Sequence, residues 1–237
     1  MNLSSAAQCP VRLAGELAES VQYRGRKASR QGSEQRRLSI LDAALRITVR
    51  EGLRGVRHRA VAAEAGVPLS ATTYYFDDIQ DLIADSFALF VKRSSASLAT
   101  LWAGVDEDFR RIAAAIEQDP GARRELATHF IDLAVAHVQS KMREHDDELL
   151  VELAFRQEAL TNAELRPLFL AHQSLRLSFA ERAVRAMGSS APFEDAQVLT
   201  TLVLRMEYHA IVDGVDDLDL EAQRAVLQRF LDLIVGA

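Results

Sequence analysis

Three short helical segments in a row, separated by glycine, constrain this chain more than any other feature. Between Ser33 and Glu51, residues Leu41, Ala44, Leu45, Thr48 and Val49 recur at i, i+3, i+4, i+7 and i+8. That spacing places them on one stripe of a helix. Gly52 stands at the stop position, where a helix closes its last turn. A second helix is predicted over about Arg57 to Ala65, with Val61, Ala62 and Ala65 inward and Gly66 as its stop. A third is predicted from about Leu69 to Phe76. Gly66-Val67-Pro68 between them is a tight turn of the kind that joins the two halves of a helix-turn-helix.

The charge of this unit suits a polyanion. From Arg24 to Gly66 there are eleven Arg and Lys against four acids, a net of +7, whereas the whole chain carries −6. The remainder therefore carries −13, and attraction for phosphate is concentrated at one end. The third segment offers small and hydrogen-bonding side chains: Ser70, Ala71, Thr72, Thr73, Tyr74 and Tyr75. Hydroxyls reach phosphates or base edges, and short side chains let a helix lie deep in a major groove. The plainer reading is a solvated basic hairpin with its tyrosines packed on a core.

The segment resembles the N-terminal domain of the TetR family of bacterial transcriptional regulators, without a gap from Glu34 to Leu82. The resemblance is carried by EGL-x-G-V at Glu51–Val56, A-x-A-G-V at Ala63–Val67, Tyr-Tyr-Phe at Tyr74–Phe76 and DD-I-Q-D-L at Asp77–Leu82. The chain departs from the family where Arg57 replaces a frequent Thr or Ser, and where Pro68-Leu69-Ser70-Ala71 replaces Ser-Lys-Gly-Thr. It departs again where Ile79 replaces a Lys. The resemblance implies DNA contacts at Ser70, Ala71, Thr73, Tyr74 and Tyr75. Arg57, His58 and Arg59 start the preceding helix, whose N-terminal end faces the DNA backbone. It also implies a homodimer on a near-palindromic double-stranded operator, repression as the usual outcome, and release by a small-molecule effector bound in the body. The sequence names neither effector nor operator.

The expected architecture is all-α. A basic arm over residues 1–32 precedes a helix-turn-helix domain over 33–77 and a helical ligand-binding and dimerisation domain over 78–237. The arm is expected to be flexible and either to touch DNA or to be a mere tail. Helical spacing predicts a fourth helix over Asp78 to about Val105 and a fifth over Asp106 to Gln118. Further helices are expected over Ala122–His145, Asp146–Leu160, Thr161–Met187, Pro192–Gly214 and Leu220–Val235, with Thr161-x-x-Glu164 as a capping box for the third of these; Pro167 sits too far in for an ideal first position, so the alternative is a start near Arg166 or a kink there. The longest stretches without charge, such as Ser94–Val105, run to about twelve residues, short of the roughly twenty that a membrane span needs. The first residues do not read as a signal peptide. One cysteine, Cys9, excludes an internal disulfide framework. A cytoplasmic protein with no membrane partner is expected.

Two later helices are apolar on more than one face, so each needs two neighbours. One seam joins Leu168, His172, Leu175 and Phe179 with Leu199, Leu202, Val203 and Met206. It is expected to be the dimer interface, where the resemblance places a four-helix bundle. The alternative is that the last helix covers the second face.

Nothing points to catalysis or to a cofactor: there is no Gly-rich phosphate loop, no G-x-S-x-G and no Cys/His set at metal spacing. His129 and His137 are two turns apart, too far for an i, i+4 metal pair. Candidate effector-pocket residues are Phe90, Leu101, Trp102, Phe109, His129, Phe130, His137, Phe155 and Gln157, all of which also suit an ordinary core. The rival to a DNA-binding regulator is a helical protein that binds a small molecule or a partner and no longer reads DNA, a reading kept open by Pro68-Leu69.

Overall fold

The computed structural model describes residues 16, 23–26, 31–115, 119, 121–144, 146–214 and 217–236, with the backbone alone for 31, 101–115, 142–144 and 146–147. Expectations for most of the N-terminal arm, Cys9 included, lie outside the described residues. Among those described there are nine α-helices and no strand: α1 Gln31–Glu51, α2 His58–Ala65, α3 Leu69–Tyr75, α4 Ile79–Ala115 and α5 Ala122–Glu144. They continue as α6 Asp146–Thr161, α7 Arg166–Ala186, α8 Pro192–Asp213 and α9 Leu220–Val235. A 3-10 turn at Leu53–Gly55 joins α1 to α2.

Two expectations about these elements need correction. The helices expected over Asp78–Val105 and Asp106–Gln118 are one, because α4 runs unbroken for 37 residues. An isolated Gly104 costs a helix only about 1 kcal/mol relative to Ala, too little to end a long one. The Thr161–Glu164 capping box is also absent. Thr161 is the last residue of α6 and its hydroxyl donates to the Glu158 carbonyl (3.3 Å), while Asn162 Oδ1 accepts from the Glu164 N–H (3.0 Å). The next helix starts at Arg166, the alternative that Pro167 raised, so Pro167 falls in its first turn, where its missing N–H leaves no intrahelical bond unmade.

The chain divides into two compact units. One comprises residues 16–95 and 150–172. The contacts thus extend this unit beyond the boundary expected at residue 77, because the start of α4 and much of α6 bury apolar side chains in the same core. That core holds Ile40, Leu41 and Ile47 of α1, Val61 of α2, Phe76, Phe87 and Phe90, together with Val151, Phe155 and Leu165. The Phe87 and Phe155 rings stack at 4.6 Å, and Phe169 meets Phe155 edge-on at 5.6 Å. The α2–α3 corner is set by Gly66, whose φ of 65° and ψ of 32° are left-handed, a conformation costly for a residue with a Cβ. The Gly66 N–H donates to Ala63 O (3.2 Å) and the Val67 N–H to Ala62 O (3.0 Å), which satisfies two end carbonyls of α2.

Among the described residues, the second unit lies within 96–149 and 173–236. In its described part α5 packs on α8 and α9, around Leu126, Ile131, Val138, Ala183, Met187, Leu199, Met206 and Leu231. Helix α9 is capped by Asp219, whose carboxylate accepts the Ala222 N–H at 2.9 Å. No described helix is long and apolar enough to cross a membrane.

Candidate functional site

Helix α3 sorts its side chains by face. Thr72 and the following Phe76 are fully buried, and they fix the inner side of the helix against α1 and α2. Opposite them, Leu69, Ser70, Thr73 and Tyr74 are exposed, with Ala71 half-buried. Tyr74 is 54% exposed, which is unusual for an aromatic ring with a core within reach.

Tyr75, assigned by resemblance to the same outward set, lies inside. It is 4% exposed, and its hydroxyl donates to the Ser33 carbonyl (3.1 Å) and shares a 2.7 Å hydrogen bond with the Ser33 hydroxyl. It ties the end of α3 to the start of α1 and has no open face to offer DNA. Its spacing from Thr72, three residues, already places both on one side of a helix.

The basic residues also divide into two groups. Arg46 and Arg50 donate to the two oxygens of Glu64 at 2.7 and 2.9 Å, locking α1 to α2. Those two guanidiniums, Arg50 first, hold the Glu64 carboxyl down at about 2. Arg37 is buried, donates bidentately to Glu34 (3.0 and 2.7 Å) and lies 3.7 Å from Asp85. Arg93 pairs with Asp42. Arg57 and Arg59, at the start of α2, are exposed and carry no ion pair among the described residues. His58 between them is half-buried, and its Nδ1 is enclosed with no hydrogen-bond partner. The net charge of +7 therefore overstates what is free to meet phosphate. The cations standing clear include Arg57 and Arg59, at the start of α2.

The second unit contains a cavity of about 100 Å³, lined by Leu98, Phe130, Leu133, Ala134, His137, Arg176, Phe179, Ala180, Leu199, Thr200 and Val203. Arg176 Nη2 donates to both carboxylate oxygens of Glu207 (3.0 and 2.9 Å), and Lys141 Nζ lies 4.0 Å from the same carboxylate. All three are under 10% exposed. Buried ion pairs recover their desolvation cost only with good geometry, and of this cluster Arg176 alone lines the cavity, where it adds polarity to the wall.

Of the pocket candidates, Phe130 and His137 line this cavity. Phe90 and Phe155 belong instead to the core of the other unit, where Phe90 meets His172 edge-on at 5.8 Å. Gln157 is exposed, and half-buried His129 does not line the cavity. The side chains of Leu101, Trp102 and Phe109 lie outside the described residues. Leu98, Leu133, Ala134, Arg176, Ala180 and Thr200 were missed, since neither their type nor their spacing distinguishes them from neighbours on the same helices.

The seam assigned to a dimer interface is closed within the chain. His172, Leu175, Phe179, Leu199 and Met206 are buried, Leu168, Leu202 and Val203 are half-buried, and Phe179, Leu199 and Val203 line the cavity. The outward face of α8 carries Val198, Thr201, Arg205, Tyr208 and Val212, all exposed and spaced by three or four residues. Tyr208 is 55% and Val212 61% exposed. This outer stripe is not one that the sequence reading identified, because Thr201 and Arg205 interrupt its apolar residues. Among the described residues no group of His, Cys, Asp or Glu is arranged to hold a metal ion.

No protein-family model matches the sequence, and no curated protein matches it. Solved structures do. A member of the TetR family from Streptomyces coelicolor is 25% identical with a TM-score of 0.54, covering 83% of this chain and 98% of that one. A TetR transcription regulator from Haloarcula marismortui is 17% identical with a TM-score of 0.56, covering 84% of this chain and 98% of that one. A protein from Saccharomonospora viridis, described as a transcriptional regulator and solved in complex with choline, is 20% identical. Its TM-score is 0.58, covering 84% of this chain and 96% of that one.

Proposed function

We propose that this chain, whose fold is that of the TetR-family regulators, is a ligand-responsive, DNA-binding transcriptional regulator and acts as a repressor. One observation carries the reading. The open face of α3 presents Ser70, Thr73 and Tyr74, and the start of α2, the other helix of the turn, presents Arg57 and Arg59 with no ion pair among the described residues, while the rest of α3 is locked into the core. A helix with small, hydroxylated outward side chains fits a major groove, and cations at its shoulder fit the phosphates along the rim.

Two heads read a near-palindromic operator one helical turn apart, which requires a dimer. The exposed stripe of α8 from Val198 to Val212 supports self-association: three large apolar side chains at helical spacing, Val198, Tyr208 and Val212, with Thr201 and Arg205 between the first two, match the mixed character of an interface rim and core. The cavity beside Arg176 and His137 supports effector binding. At about 100 Å³ it holds a small group, whereas drug-sized molecules occupy sites of roughly 300–1,000 Å³. The effector is mostly apolar with a polar group for the Arg176–His137 side, and a larger one displaces part of the wall.

Electrophoretic shift with the DNA upstream of the gene encoding the chain tests the reading. A shifted complex that resists excess duplex of unrelated sequence is the expected result. Equal competition by the unrelated duplex would leave the fold without a sequence-reading role and favour a ligand-binding protein that no longer reads DNA.

A further inference from the structure

Residues 23–26 are strapped onto the three-helix unit. Asp85 on α4, 1% exposed, accepts the Arg24 N–H through Oδ1 (2.7 Å) and the Gly25 N–H through Oδ2 (3.0 Å). The Arg26 N–H donates to the Tyr75 carbonyl at the end of α3 (2.8 Å). The Tyr23 ring lies 4.1 Å from the buried Arg37 guanidinium. Gly25 lies so close to α3 that an added Cβ would fall 2.6 Å from the Phe76 ring and 2.8 Å from the Tyr75 oxygen, a fit open to glycine alone.

This seat turns two neighbouring arginines to opposite uses. Arg24 is neutralised, with Nη1 at 2.5 Å from Glu164 and 4.0 Å from Asp81. Arg26 is exposed, has no ion-pair partner among the described residues, and places its guanidinium 4.5 Å from the centroid of the Tyr74 ring. Tyr74 is the exposed aromatic of the groove-facing helix. A guanidinium held over a ring keeps its N–H donors available for phosphate oxygens, and a charge already fixed in place loses less freedom on binding. Burial of an ionisable group costs free energy unless it is compensated, and here the two backbone N–H groups and Arg37 supply that compensation for Asp85.

We propose that the strap is a fixed part of the DNA-contacting surface, in which Asp85 and Gly25 are positioning residues and Arg26 supplies a backbone-phosphate contact beside α3. The inference rests on the DNA-binding reading above and extends it to residues outside the helix-turn-helix.

The test measures the salt dependence of affinity by fluorescence anisotropy, on the upstream fragment and on a duplex of arbitrary sequence. Arg26→Ala is expected to weaken both duplexes by a similar factor and to flatten the log–log salt slope by about one per head. Gly25→Ala, which unseats the strap without changing charge, is expected to do the same, and the double variant to lose little more than either alone. Arg26→Lys keeps most of the slope, and Arg24→Ala keeps all of it because Arg24 is already paired. Circular dichroism and a melting curve establish that each variant is folded. Arg26→Ala with the parent's affinity and slope, in a parent that binds DNA, overturns this inference alone. A parent that binds neither duplex overturns the DNA-binding reading and this one with it.

Discussion

Replacing Arg57 with alanine separates a DNA-contact role from a folding role, because the structure gives this residue nothing to hold. It precedes α2 in an extended conformation, its side chain makes no capping hydrogen bond, and it is exposed. Truncation of such a surface residue changes stability by no more than about 0.5 kcal/mol. If each head loses one phosphate contact, a dimer loses two, and the log–log salt slope flattens by roughly 1.8. Over a fourfold rise in salt, the variant then loses about tenfold less affinity than the parent loses. Arg46→Ala is the matched control. It removes the same charge from the same unit, but one spent on Glu64 at 2.7 Å, so the slope should hold while stability falls slightly, as for an exposed ion pair. Fluorescence anisotropy across a salt series, with urea denaturation alongside, reads both quantities. Equal flattening in the two variants would show that only overall charge matters, and no flattening in Arg57→Ala would remove it from the interface.

Tyr75→Phe should lower stability by about 1 kcal/mol through loss of the Ser33 bonds while leaving the salt slope unchanged, as read by urea denaturation and anisotropy together. Phe179→Arg should unfold the chain by about 4 kcal/mol or more, since it buries an unpaired charge. Val212→Arg on the exposed stripe of α8 should instead give folded monomers by light scattering, and a folded Val212→Arg dimer would place the interface elsewhere. The folded-state pKa of Glu64 is depressed, so its contribution to stability is complete above the usual glutamate range near 4.5 and is lost as pH falls toward about 2. Glu64→Gln should accordingly flatten the acid limb of the stability profile in that window, as measured by thermal melts at stepped pH.

The local parts of this structure were legible because short-range rules decide them. Gly66 closes α2 through a left-handed backbone that favours glycine, and Pro192, whose fixed φ suits a first turn, opens α8. The inward positions of Thr72 and Phe76 follow from helical spacing, and Tyr75, three residues after Thr72, was assigned outward because the family pattern outweighed that spacing. What was not legible is tertiary. Periodicity showed that α8 is apolar on more than one face but could not say that the seam of Leu199, Leu202, Val203 and Met206 packs within the chain. The strap depends on Asp85 meeting Arg24 and Gly25 some sixty residues away, and no pattern in either segment announces the other. The cavity is defined by what its neighbours fail to fill, a property of packing and not of any residue type.

The central claim, that the open face of α3 enters the groove twice per dimer, is tested most directly by hydroxyl-radical footprinting on the DNA upstream of the gene encoding the chain. The account predicts two protected patches on one side of the duplex, centred roughly 10 base pairs apart, that vanish together with Tyr74→Ala while circular dichroism shows the variant folded. A single patch, or a footprint that survives Tyr74→Ala unchanged, would contradict it.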